Sequence, residues 1–279
     1  MTDRWLLDST RRAKAALIDT TVPNWARVGD ALIGGRDNFE ADRKAVRMLA
    51  AAAPYVSAIP IAARAFRQRV VRYLVTEAGI RQFLDVGASL AMSGNTHEVA
   101  QSLTPDCRVV YVDNDPMVLA HARAQLASLP GSSAPGGAVV ALDANPREPA
   151  AILAAAAETL DLGRPVAILM MATLSFVLDD AAAARIVRSL TGAVPPGSHV
   201  ALYHQASDLD PAMSVAAARW NAMSDRQIKL RSRAQLTELL SGFDLVPPGI
   251  MPVTDWRPAP DDPRFERLVP VYGAVARKA

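Results

Sequence analysis

A glycine and two acids stand where three successive β-type runs end: Gly87 in Asp85-Val-Gly87, Asp113 in Val112-Asp-Asn-Asp-Pro116, and Asp143 in Leu142-Asp-Ala-Asn145. In an open parallel sheet, ligands bind outside the carboxyl ends of the strands, so these three positions can face one cleft. Gly87 leaves room for a ligand to approach the backbone closely. Asp113 follows about one βα unit later, and a carboxylate there matches the two vicinal hydroxyl donors of a ribose. Asp115, directly before Pro116, has the position of a helix cap, which leaves Asp113 as the ligand residue of the pair.

A dinucleotide-binding loop packs three glycines into six residues to hold a pyrophosphate, and this one has only Gly87 and Gly94. S-adenosylmethionine carries no phosphate, and an acid-rich rim suits its ribose, amine and sulfonium. Further along, Tyr203-His204 closes the fifth β-type run and Asp208 follows. These three are the general acid/base candidates, because histidine titrates near neutrality and strand-end residues border the cleft. Since no two histidines have metal-ligand spacing with a neighbouring acid, no metal is expected.

The elements that must position these residues alternate. Strands are expected at 82–86, 108–112, 138–142, 166–171 and 199–203, with helices between them at 95–103, 116–129, 148–160 and 180–193. That is the pattern of right-handed βαβ units. After a helix near 232–240, β-type runs at 243–251 and 268–276, joined by a proline-rich loop, predict an antiparallel hairpin at the sheet edge. Residues 1–80 read as helical, with apolar spacing at 38–53 and 61–78. They form an N-terminal cap or lid within the same domain as a core at 81–279.

Composition narrows the function classes. Of 279 residues, 51% are hydrophobic, which suffices for one full core. Thirty basic residues oppose 28 acidic ones, with neither sign gathered into a block, so nucleic acid and membrane are not expected partners. The longest apolar run, 165–178, is too short to span a bilayer, and the start Met1-Thr-Asp-Arg4 does not read as a signal peptide. Cys107 is the single cysteine, which excludes an intrachain disulfide and fits a cytoplasmic protein.

Four stretches carry a family resemblance: Ile33-Gly-Gly-Arg-Asp-Asn-Phe-Glu-Ala-Asp-Arg43, Gly79-Ile-Arg-Gln-Phe-Leu-Asp-Val-Gly87, Gly94-Asn-Thr-His-Glu-Val-Ala-Gln101 and the run from Arg108 to Arg123. The chain resembles, from about Asn24 to Arg277, the actinobacterial S-adenosylmethionine-dependent methyltransferases known as domain of unknown function 574. The resemblance implies an α/β fold of the Rossmann-like class I methyltransferase type, with a seven-stranded, mostly parallel sheet, and S-adenosylmethionine as cofactor. It puts Gly87, Ala88 and Ser89 beside the methionine part, Asp113 on the ribose, Asn114 and Met117 near the adenine, and Asp143 with Ala144 at the adenine edge. Met171 would begin the floor, and Arg36, Asp37, Asn38 and Phe39 would belong to an N-terminal lid over the substrate.

The chain departs from the family pattern at three places. Ser89 replaces a glycine, Ala91 a proline, and Ser175 a histidine at the fourth-strand exit. The expected function is methyl transfer to a small molecule, of the kind met in secondary metabolism. The departures motivate two alternatives: an enzyme on this fold that works without the cofactor, for instance by intramolecular cyclisation with loss of a leaving group, and a non-catalytic binding protein.

Overall fold

The structure, a computed structural model, describes residues 18–88, 90, 94–128 and 137–279. Three helices lead in: α1 (Trp25–Leu32), α2 (Glu40–Ala52) and α3 (Ala58–Thr76). Five parallel strands follow with their crossovers: β1 (Gln82–Val86), α4 (Thr96–Leu103), β2 (Arg108–Asp113), α5 (Pro116–Ser128), β3 (Ala138–Asp143), α6 (Pro149–Ala156), β4 (Ala167–Met171), α7 (Asp180–Gly192) and β5 (His199–Gln205). Two more helices, α8 (Pro211–Met223) and α9 (Arg233–Leu239), precede β6 (Asp244–Leu245), β7 (Met251–Pro252) and β8 (Val271–Arg277).

Along each parallel strand, successive side chains feed opposite layers, as the pleat requires. Phe83, Val109, Leu169 and Ala201 join the layer under α1, α2, α3 and α8, whereas Leu84, Val110, Ile168 and Val200 join the layer under α6, α7 and α9. Both faces are covered, which explains why the strands read as continuous apolar runs rather than alternating ones. Proline at the first position of α6 and α8 fits helix entry, where its missing N–H costs nothing.

The sheet runs β3-β2-β1-β4-β5-β8-β6, and β7 also pairs with β8. Strand order therefore reverses between β1 and β4, the place where such sheets hold ligands. The expected antiparallel ending is present, but the sheet has eight strands rather than seven. The run expected as one strand at 243–251 is two short ones, because Pro247, Pro248 and Gly249 interrupt it and proline cannot donate to a ladder. Helix α8 was not foreseen in the sequence. Among the described residues, no helix is long and apolar enough to cross a membrane.

Candidate functional site

A cavity of about 440 Å³ opens at the strand-order reversal, lined by Gly87 just past β1, Asp113 and Asn114 at the end of β2, and Met171, Ala172 and Thr173 at the end of β4. Asn24 and Trp25 close it from the N-terminal side, and Tyr203 from β5. Local backbone demands shape this corner. Gly87 has φ +84°, and a Cβ there would collide with Thr173 Oγ1, which itself donates to the Val86 carbonyl. Ala172, at φ +65°, is a non-glycine residue in the left-handed region, held by hydrogen bonds from its amide to the Tyr203 carbonyl and from the Ser175 amide to its own carbonyl. Strain of this kind persists where the surroundings over-determine it.

Of the two acids at the end of β2, Asp115 caps the following helix as the sequence indicates, and Asp113 lines the cavity. Asp115 Oδ1 accepts from the Met117 amide at 2.8 Å and so caps α5. Asp113 Oδ1 accepts from the amides of Asn114 and Asp115 at 2.8 and 2.9 Å, which fixes the carboxylate at the cavity wall. Asp115 also accepts, on Oδ2, from Asn24 Nδ2 at 2.7 Å. Asn24 is the N-cap of α1, and its amide donates to buried Asp42, which also takes Arg27 Nε at 2.9 Å. One polar chain thus ties the N-terminal helices to the cavity rim.

Behind Gly87, Asp85 is fully buried and accepts from Thr96 Oγ1 at 2.7 Å. Burial pushes its carboxyl up to about 6, against the pull of the Arg67 charge and the Thr96 hydrogen bond. Next to the first cavity lies a second, apolar chamber of about 90 Å³, with Trp25 and Tyr203 in the walls of both. Trp25 packs edge-on against Phe176 and Trp220, with ring centroids 5.7 and 5.0 Å apart. Burial pushes the Tyr203 phenol up, so its hydroxyl stays protonated.

The structure brings together Gly87, Asp113, Asn114, Met171 and Tyr203. Ala88 packs into the apolar layer. Met117 is half-buried beside the lining residue Val118, and Asp143 and Ala144 flank the rim without forming its wall. The Ala144 amide donates to the Asp113 carbonyl at 3.1 Å. In this corner the sequence reading is one or two residues off: Asn145, Pro146 and Arg147 line the cavity instead. Ser89 and Ala91 lie outside the described residues, as does most of the 131–137 loop.

Three placements correct the sequence reading. His204 does not face the cleft. It follows Tyr203 on a strand, so the pleat turns it to the opposite layer, where its Nε2 accepts from Arg231 at 2.8 Å and its Nδ1 donates to the Gln205 carbonyl at 2.9 Å. Burial pushes His204 down to about 4, which keeps the ring neutral. Ser175 belongs to that network through Gln205 and His204. Asp208 lies beyond the strand end, where it accepts from the Arg233 amide at 3.0 Å.

The lid residues form a structural turn rather than a cavity wall. Asn38 Nδ2 and the Asp37 amide both donate to Asp30, Arg27 lies over the Phe39 ring, Asp37 reaches His121 across 3.7 Å, and Arg36 is exposed. Of the N-terminal region, it is Asn24, Trp25 and Ala26 that reach the cavity. Arg67 was also missed, although a signal existed: it falls in phase with Ala63, Val70, Val71 and Leu74 on the buried stripe of α3.

Residues 11–279 match a family model described as S-adenosyl methyltransferase. The crystal structure of a DUF574 family protein from Streptomyces avermitilis MA-4680 is 39% identical, with a TM-score of 0.88 over 94% of this chain and 100% of that one. A protein of Thermobifida fusca YX assigned as a methyltransferase is 37% identical, with a TM-score of 0.82 over 93% of this chain and 96% of that one. A comparison with curated proteins gives no match.

Proposed function

The chain belongs to the S-adenosyl methyltransferase family of the DUF574 type, whose cofactor is S-adenosylmethionine, and from that premise we propose that it methylates a small molecule seated between its two cavities. One observation carries this reading: an apolar chamber opens beside a nucleoside-sized cavity at the strand-order reversal, and the two share Trp25 and Tyr203 as walls.

The residues present fit the cofactor. The cavity of about 440 Å³ lies within the roughly 300–1,000 Å³ range of small-molecule sites. Its polar groups include an oriented carboxylate in Asp113 to accept from vicinal hydroxyls and a side-chain amide in Asn114, next to apolar Val118, for a purine. When bound, S-adenosylmethionine supplies an electrophilic methyl group on its sulfonium. The chain's task is then positioning. Asp113 holds the ribose hydroxyls, Trp25 and Trp220 keep water from the chamber, and the protonated Tyr203 hydroxyl offers a hydrogen bond to an acceptor at the junction. No side chain is required to act as a nucleophile, and His204 stays neutral behind the strand.

Calorimetry with S-adenosylmethionine tests the assignment. The wild-type protein should bind it, and Asp113→Ala should weaken binding at least tenfold, since a hydrogen bond to a charged group is worth about 1.5–3 kcal/mol. Unchanged affinity in a folded variant would remove Asp113 from the site, and no binding by the wild type would refute the cofactor reading.

A further inference from the structure

Arg67 lies on α3 and lines the apolar chamber, with 8% of its surface exposed. Its Nε is buried without a hydrogen-bond partner, and among the described residues its guanidinium makes no ion pair. The other buried arginines behave differently. Arg27 pairs with Asp42, Arg69 with Asp262 and two backbone carbonyls, and Arg231 with Asp180 and its neighbours. A buried guanidinium with an unmatched N–H is costly even with the Asp85 charge nearby, and a ligand that accepts from it removes that cost.

The chamber around it is small and greasy, walled by Val28, Leu49, Ile59, Met213 and Trp220, with Gln205 and Arg64 as further polar groups. An apolar cavity of about 150 Å³ accepts benzene. A chamber of about 90 Å³ therefore holds a short branched chain or part of one ring, with the rest of the molecule extending past Tyr203 into the larger cavity. The planar guanidinium fork matches a carboxylate through two parallel hydrogen bonds.

We propose that Arg67 is the receptor for the carboxylate of a compact apolar acid, and that this acid is the class of substrate the chamber admits. The inference rests on the methyltransferase reading for the word substrate, but the binding site stands on its own geometry. The acid anchors at Arg67, and its far end lies at the Tyr203 and Trp25 junction, where the two cavities meet.

Isothermal titration of the full chain with isovalerate and benzoate, against isovaleramide and benzamide, tests the inference without any variant. The acids should bind at least tenfold more tightly than the matched amides. Arg67→Met should abolish that preference, and Arg67→Lys should retain part of it, while affinity for S-adenosylmethionine stays within twofold in both. Equal binding of acid and amide, or no binding of either acid by the wild type, would overturn the proposal. So would variants that lose cofactor affinity yet keep the acids, because Arg67 would then serve the cofactor's own carboxylate. Failure of the wild type to bind S-adenosylmethionine would overturn the methyltransferase reading alone, with the acid-to-amide ratio still deciding the anion site.

Discussion

The two faces of β5 each hold a buried arginine, and the two are used in opposite ways. Behind the strand, Arg231 is 1% exposed and donates from every nitrogen: Nε to Asp180, Nη1 to the Leu174 carbonyl and His204 Nε2, and Nη2 to the Val177 carbonyl. It pins the short 3-10 turn at 173–176, and with it the Phe176 wall of the cavity, to α7 and β5. In front of the strand, Arg67 stands in a nearly apolar chamber with its Nε unmatched. A saturated buried charge acts as scaffold, and an unsaturated one implies a ligand.

The largest expected effect tests that contrast directly. Arg231→Met leaves two backbone carbonyls and a histidine nitrogen without their donor and should lower the unfolding free energy by about 3–5 kcal/mol. Arg67→Met removes a guanidinium that makes no ion pair among the described residues and whose Nε is unmatched, its charge acting on Asp85 only at a distance, so stability should hold or rise rather than fall. Urea titrations of the two variants decide it, and equal losses would end the distinction.

Next in size is a pH effect confined to the rear network. His204 is pushed down by burial from 6.5 to about 4, so between those values the unfolded chain binds the proton that the folded chain refuses. The stability of the neutral ring is fully present above pH 6.5 and is lost as pH falls toward 4, a difference on the order of 3 kcal/mol. The gap in unfolding free energy between the wild type and His204→Gln should shrink by that amount over this window. A gap independent of pH would place a proton on His204 already in the folded state. Asp85 acts with the opposite sign, because its carboxyl is raised to about 6 and its contribution falls as pH rises from 3.8, so the variant comparison is needed to isolate His204.

The smallest effect concerns the N-terminal tie in front. Asn24→Ala removes the α1 cap and the hydrogen bond to Asp115, at a cost of about 1 kcal/mol in stability. Affinity for S-adenosylmethionine should drop only a few-fold, since Asp113 keeps its own backbone supports. A loss as large as that of Asp113→Ala would make Asn24 a direct ligand of the cofactor.

Much of this was legible in the chain. The β1 to β5 runs, the Asp115 cap and the place of Asp113 at the second strand end all follow from local rules, because each depends on neighbours a few residues away. Helix α8 was also readable, since Asp210-Pro211 starts it and Met213, Ala216, Ala217 and Trp220 form its buried stripe. The alternation that separates Tyr203 from His204 was equally available, yet the histidine drew attention by its chemistry rather than its phase.

Other features were not legible, for physical reasons. That Asn24 reaches Asp115 across 91 positions, and that Arg231 reaches back to the 173–176 turn, depends on which helices lie over which strand ends. The sequence by itself determined the layered sheet, its order of elements and the acid at the second strand end, because period, caps and turn residues act locally. Only the tertiary structure decided which buried charges are completed by the chain and which are left for a ligand. Satisfying a guanidinium needs donors and acceptors brought together from distant segments, and nothing in the spacing along one chain records that meeting.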